Sequence, residues 1–148
     1  MKISIKDFEN ESSIPTKFTC DGEDEMPVLS VTDVPKEAKC LALVVDDPDA
    51  PSGLFTHCII YDIPLSKMEI DSSILNEKGV KAGINDFGEK GYRGPCPPPG
   101  KPHRYYFTVY ALNTEIKEDG LKRREFDKEI KNHIIEKVSY MGTYIRKH

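Results

Sequence analysis

Apolar side chains along residues 1–112 come in short runs separated by turn-forming residues. The runs Lys39–Val45, Phe55–Tyr61 and Arg104–Leu112 are rich in Val, Ile, Tyr, Phe and Thr. These residue types suit a pleated, half-buried surface. Asp21-Gly22, Val34-Pro35, Asp47-Pro48, Pro51-Ser52-Gly53 and Ile63-Pro64 interrupt the runs, as turn residues do. Several short strands between frequent turns predict a sandwich or a barrel. Strand alternation then assigns faces. His103, Tyr105, Phe107, Val109 and Ala111 share one side, and Arg104, Tyr106, Thr108, Tyr110 and Leu112 share the other. By the same rule His57 lies with Ile59 and Tyr61. Each of these two histidines therefore opens a strand at the rim of a core.

The pattern changes near the C-terminus. Phe126, Ile130, Ile134 and Val138 recur every four residues, with Ile135 and Met141 widening the stripe. This predicts an amphipathic helix over 123–141, with Gly142 as its stop and Thr143-Tyr144-Ile145 as a return to the sheet. A weaker helix signal covers Ser66–Ile70. His133 falls on the exposed side of the long helix, and His148 is a terminal bystander.

Composition narrows the picture. The chain has 148 residues and a net charge of −4, which fits a single domain spanning 1–148 and gives no reason to expect a nucleic-acid partner. The N-terminus lacks the apolar stretch of a secretory signal. The longest apolar run, Cys40–Val45, is far too short for a membrane span. A cytoplasmic location is the default expectation. No two of Cys20, Cys40, Cys58 and Cys96 have the C-x-x-C spacing of a zinc or redox site. In a cytosolic chain such cysteines are expected to be reduced, although one disulfide stays compatible with the sequence.

Two segments carry candidate chemistry. The acidic turn Asp46-Asp47-Pro48-Asp49-Ala50-Pro51 leads to His57. The stretch from Gly91 to Pro102, with five of the eleven prolines, leads to His103-Arg104-Tyr105. Proline fixes φ and removes a donor, so the second segment is a stiff loop rather than a central strand. A stiff loop has little entropy left to lose on binding. Aspartates also cap ordinary turns, so this spacing alone points only weakly to a site.

Asp47-Pro48-Asp49-Ala50-Pro51-Ser52-Gly53 with Thr56-His57, Gly91-Tyr92-Arg93-Gly94-Pro95-Cys96-Pro97-Pro98-Pro99-Gly100 with His103-Arg104-Tyr105, and the terminal Gly142-Thr143-Tyr144 together resemble the phosphatidylethanolamine-binding protein family, in its prokaryotic, Raf-kinase-inhibitor-like branch. The likeness extends over nearly the whole chain. One element departs from the family pattern. Met26-Pro27-Val28-Leu29-Ser30-Val31 stands where the family usually carries a tryptophan, and this chain has none.

The resemblance implies a mainly β fold, an antiparallel two-sheet Greek-key β-sandwich with a C-terminal helix. It also implies an anion pocket lined by Asp47, Asp49, His57, Gly94, Pro95, His103 and Tyr105, and a cis Ala50-Pro51 bond. The implied partner is a phosphate-like anion, a phosphorylated small molecule or a lipid head group. A kinase or protease partner and a homodimer follow by analogy with relatives. No cofactor is implied.

Two aspartates repel an anion unless something reverses the sign. The expectation is that Asp47 and Asp49 orient and charge the histidines, while imidazoles, Tyr105 and inward loop amides touch the anion. The alternative is a hydrolase or metal-dependent enzyme using the same Asp/His pocket. Against it, there is no G-x-S-x-G element and Ser52 lacks an evident activating partner.

Overall fold

The structure is a computed structural model and describes residues 1–147, so His148 lies outside the described residues. It contains β1 (Lys2–Ile5), β2 (Ser12–Ser13), β3 (Leu29–Thr32), β4 (Cys40–Asp47), β5 (Phe55–Ile63), β6 (Glu69–Ile70), β7 (Lys81–Ala82), β8 (His103–Leu112), the helix α1 (Arg123–Ile130) and β9 (Ile134–Tyr144). Short 3-10 turns cover Thr16–Phe18 and Ser72–Asn76. The second of these lies beyond the segment where the sequence hinted at a helix.

The strands form two sheets. The smaller has the order β1-β3-β6 and the larger the order β2-β9-β8-β4-β5-β7. All pairs are antiparallel except the two-residue β2–β9 pair. The order β8-β4-β5-β7 is a Greek key, because β8 returns by a long connection to lie beside β4. The expected mainly β, two-sheet architecture is what the chain adopts.

Alternation in β4, β5 and β8 produces two cores, one on each face of the large sheet. Leu41, Leu43, Val45, Cys58, Ile60, Phe107 and Val109 face the small sheet, where they meet Ile5, Leu29, Val31 and Ile70. Ala42, Val44, Ile59, Tyr61, Tyr110 and Leu112 face the opposite way and are covered by Ile116, Leu121 and the helix residues Phe126 and Ile130. β4 is thus buried on both faces, which is why it reads as a continuous apolar run rather than an alternating one.

The predicted helix over 123–141 is corrected. α1 ends at Ile130 and β9 begins at Ile134. Four-residue spacing is common to both periodicities, since four is nearly one helical turn and also an even number of strand residues. Phe126 and Ile130 use it as helix. Beyond a turn, the β-branched Ile134, Ile135 and Val138 enter the ladder with β8, where Val138 pairs with Val109 and Tyr140 with Phe107. Gly142 is accordingly not a helix stop. It lies in β9 opposite Tyr105, where an added Cβ would stand 2.5 Å from Ile14 and 2.6 Å from Phe8.

A half-buried ion pair holds α1 onto the outer face. Arg123 Nη1 donates to Asp46 Oδ1 and, at 3.1 Å, to the hydroxyl of Thr56. The side chains of Arg123 and Asp46 are 18% and 14% exposed. Asp46 is therefore a strand residue serving the helix, rather than part of the turn. Its burial raises the carboxyl pKa, against the pull of Arg123. Replacing Arg123 by Ala leaves that carboxylate half-buried without its cation. It is expected to cost about 3 kcal/mol of stability in urea unfolding. A loss below about 0.5 kcal/mol, the scale of an exposed pair, would show the pair to be merely superficial.

Candidate functional site

β4, β5 and β8 end together at one edge of the interface between the sheets. There a cavity of about 170 Å³ opens, lined by Asp47, Ala50, Pro51, Phe55, His57, Phe87, Cys96, Pro97, Pro98, His103 and Tyr105. Alternation delivers three of its polar groups directly. Asp47 continues the inward series Leu41, Leu43, Val45 in β4, and His103 and Tyr105 begin the inward series of β8.

His57 arrives by a different route. Simple alternation would place it with Ile59 and Tyr61, against the helix. The β4–β5 register shifts, however, from Val45 opposite Cys58 to Asp46 opposite Thr56. One extra residue of β5, His57, is accommodated there as a β-bulge, and bulges re-aim side chains. His57 consequently turns to the inner face. Its ring centroid is 5.3 Å from that of Tyr105 and 5.3 Å from that of Phe87.

The two imidazoles are held by their Nδ1 atoms. His57 Nδ1–H donates to the Arg93 carbonyl at 2.7 Å; a carbonyl only accepts, so this bond sets the tautomer. His103 Nδ1–H donates to Asp47 Oδ2 at 2.7 Å. Asp47 also accepts the Asp49 N–H at 2.7 Å. In the neutral form of either ring the lone pair then lies on Nε2. Burial pushes the His57 pKa below its ordinary 6.5.

Tyr105 lies between the histidines and is fully buried, and its hydroxyl lacks a hydrogen-bond partner among the described residues. Burial, reinforced by the Asp47 carboxylate, pushes the phenol pKa far up, so Tyr105 keeps its proton and remains a donor. An unpaired buried hydroxyl costs about 1–3 kcal/mol, which favours a ligand or a water that accepts from it.

Asp47, His57, His103 and Tyr105 thus come together, while three other expected site residues do not line the cavity. Asp49 faces outward, where Arg104 donates to it through its backbone N–H at 2.9 Å, Nε at 2.9 Å and Nη2 at 2.8 Å. This fork holds the Asp49 pKa at about 2. Its role is to lock the acidic turn onto β8. Gly94 and Pro95 are buried behind the wall. Gly94 N–H donates to Asp24 Oδ1 at 2.8 Å, and Pro95 O accepts from Cys20 N–H at 3.1 Å. Tyr144 stands opposite His103 in the ladder, yet its hydroxyl donates to Asp21 at 2.5 Å rather than reaching the cavity.

Two further expectations are corrected. Ala50-Pro51 is trans, as no peptide bond among the described residues is cis. Gly53 N–H donates to Ala50 O at 2.9 Å, closing a turn with Pro51 in the second position, which trans proline is shaped to fill. Cys20 and Cys96 form a disulfide, while Cys40 and Cys58 are buried thiols. Their separation of 76 residues left no local trace of the pairing. The fold unites them by docking residues 16–25 behind the proline loop. Such bonds belong to oxidising compartments and to the cytosol of hyperthermophiles.

The apolar lining went largely unread in the sequence. Phe55 and Phe87 flank His57, with centroids 5.1 Å and 5.3 Å away. Phe55 could have been found from its two-residue spacing to His57. Phe87 sits in a loop with no periodic pattern. Among the described residues no group of three or more His, Cys, Asp or Glu side chains is arranged to hold a metal ion, and no helix is long and apolar enough to cross a membrane.

Comparison with known proteins bears on this site. The family model described as phosphatidylethanolamine-binding protein matches residues 4–145. A UPF0098 protein of Aquifex aeolicus is 40% identical, the match covering 99% of this chain and 89% of the relative. One from Pyrococcus abyssi is 43% identical, covering 95% and 83%. The crystal structure of a phosphatidylethanolamine-binding protein homologue from Chlamydia trachomatis superposes with a TM-score of 0.89 at 36% identity, covering 98% of this chain and 97% of that one. That of Escherichia coli YbcL, described as a new member of the mammalian family, gives 0.91 at 28% identity, covering 99% and 98%. With the family model spanning nearly all of the chain and the fold shared along its length, the protein belongs to the phosphatidylethanolamine-binding protein family.

Proposed function

We propose that the chain is a binding protein for a phosphate-like anion, either free or as the head of a small monoester or lipid. The observation that carries the reading is the buried, unpartnered hydroxyl of Tyr105, flanked by two imidazoles whose Nδ1 atoms are already committed. Tyr105 supplies one donor. The two imidazoles supply the second and third once protonated at Nε2. Asp47 accepts from the other nitrogen of His103, and the Arg93 carbonyl from that of His57, which holds both rings in place. The apolar walls keep water from competing and suit the organic part of an ester.

Binding rather than catalysis is the reading we favour. Among the described residues no serine, threonine or lysine lines the cavity, and the sulfur of its cysteine, Cys96, is tied in the disulfide. A second reading, in which a kinase or protease docks over the mouth, draws on the exposed Pro51, Phe87 and Pro98 around it.

The test is a pH series. In the free protein His57 is neutral down to a pH below 6.5, because burial depresses its pKa. That neutral state contributes stability present above the unfolded value, about 6.5, and lost as pH falls through the folded value. A bound anion reverses the preference, so binding takes up a proton. Phosphate affinity by calorimetry is therefore expected to rise several-fold between pH 8 and pH 6. Thermal stabilisation by phosphate should be larger at pH 6 than at pH 8. Equal affinities at the two pH values, with no proton uptake, would sink the imidazolium reading.

A further inference from the structure

The proline loop forms one wall of the cavity through Cys96, Pro97 and Pro98. Proline has no N–H, so residues 95–99, four of them prolines, contain a single backbone donor. A wall of this composition cannot be fastened by a hydrogen-bonded ladder. Backbone bonds reach it at its ends, where Cys20 N–H donates to Pro95 O and Gly100 N–H donates to Arg146 O at 3.2 Å. Between those ends the covalent fastening is Cys96 Sγ to Cys20 Sγ.

The far end of that bond is well anchored. Asp21, next to Cys20, accepts from Tyr144 Oη and pairs with Arg146. Asp24 accepts from Gly94 N–H and Arg93 Nε. Tyr92 Oη donates to Phe18 O at 2.7 Å. The disulfide therefore carries the rigidity of residues 16–25 across to the middle of the cavity wall. Cys96 is an exposed residue and Cys20 is half-buried, unlike the two free thiols. A soluble reductant can reach the bond.

We propose that the Cys20–Cys96 disulfide is a redox latch on the anion cavity, with the oxidised form competent to bind and the reduced form weakened. The reductant is a dithiol. One of its thiolates attacks a disulfide sulfur and forms a mixed disulfide while the other protein sulfur leaves as thiolate. The second dithiol sulfur then displaces the remaining protein sulfur. The reductant loses two electrons and becomes a disulfide, and Cys20 and Cys96 each end as a protonated thiol. Released at its middle, the wall spends part of its time away from the histidines, and affinity drops by the fraction of time it is in place.

The proposal rests on the anion reading above, and its test separates the two. Inorganic phosphate is titrated into the full chain, oxidised and then reduced with dithiothreitol, and into the Cys20→Ser/Cys96→Ser double variant. The imidazole resonances of His57 and His103 are followed in all three. Reduced and double-variant proteins are expected to bind phosphate at least about fivefold more weakly, as a wall closed a fifth of the time would give. Both imidazole signals are expected to shift or broaden, and reoxidation should restore affinity. If oxidised protein fails to bind phosphate while reduction still moves both imidazole signals, the anion reading fails and what stands is redox control of the wall's position alone. If affinity changes less than twofold and the imidazole signals do not move, the latch is overturned. Loss of the β-sheet circular dichroism on reduction would also overturn it, because the bond would then be holding the whole fold.

Discussion

Phosphate affinity is expected to fall by about ten- to a hundredfold in His103→Ala, the range of one charge-assisted hydrogen bond. The loss has two sources. A donor disappears from the cavity, and Asp47 loses the imidazole that accounts for one of its oxygens. Asp47 is 3% exposed and among the described residues keeps the Asp49 N–H and the neighbouring Tyr105 side chain, so a carboxylate with less compensation then faces the anion. Combining His103→Ala with Asp47→Asn removes that charge and should recover part of the affinity, although the donor is still missing. Calorimetry with inorganic phosphate reads both effects, and circular dichroism checks the fold. Wild-type affinity in His103→Ala would place the anion elsewhere. No recovery in the double variant would show that repulsion from Asp47 is not part of the loss.

Gly94→Ala should be among the most damaging single-methyl additions in the chain, although Gly94 never touches the cavity. A Cβ built there stands 2.0 Å from the Phe18 carbonyl oxygen and 2.5 Å from Asp24 Oδ1. The first neighbour is backbone in a segment tied down by the 3-10 turn and the disulfide, so it cannot swing aside as a flexible side chain would. Relief requires the proline loop to lift from residues 16–25, which breaks the Gly94 N–H to Asp24 bond. The expected loss of stability is about 3 kcal/mol, at the upper end for overpacking. Phosphate binding should fail with it, because His57 takes its orientation from the neighbouring Arg93 carbonyl. Urea unfolding and the same phosphate titration provide the check. A variant within about 0.5 kcal/mol of wild type would mean that the loop tolerates displacement and that the close packing behind it is dispensable.

These two cases show how differently the site residues could be read. The inward placement of His103 and Tyr105 followed from strand alternation, and so did the outward placement of Arg104, whereas Asp47 read as part of the acidic turn and is the last residue of β4. Asp49 was legible as a member of the acidic turn but not as the partner of Arg104, because the pairing joins residues 55 apart and depends on where β4 ends beside β8. Gly94 and Pro95 were legible as part of a stiff loop. Which residues of that loop face the cavity and which face Phe18 is settled by its docking onto residues 16–25.

The amino-acid order by itself determined the β-rich runs, the stiffness of the proline loop and the two motif segments that mark the family. These are properties of neighbouring residues, set by φ restriction, side-chain branching and two-residue alternation, and they need no distant partner. Tertiary structure alone decided that β9 follows a short α1, because four-residue spacing satisfies helix and strand equally until a paired ladder chooses. It also decided that His57 turns inward, since a bulge exists only relative to the opposing strand, and that Cys20 meets Cys96. Each of these depends on contacts between segments far apart in the chain, and local periodicity carries no record of them.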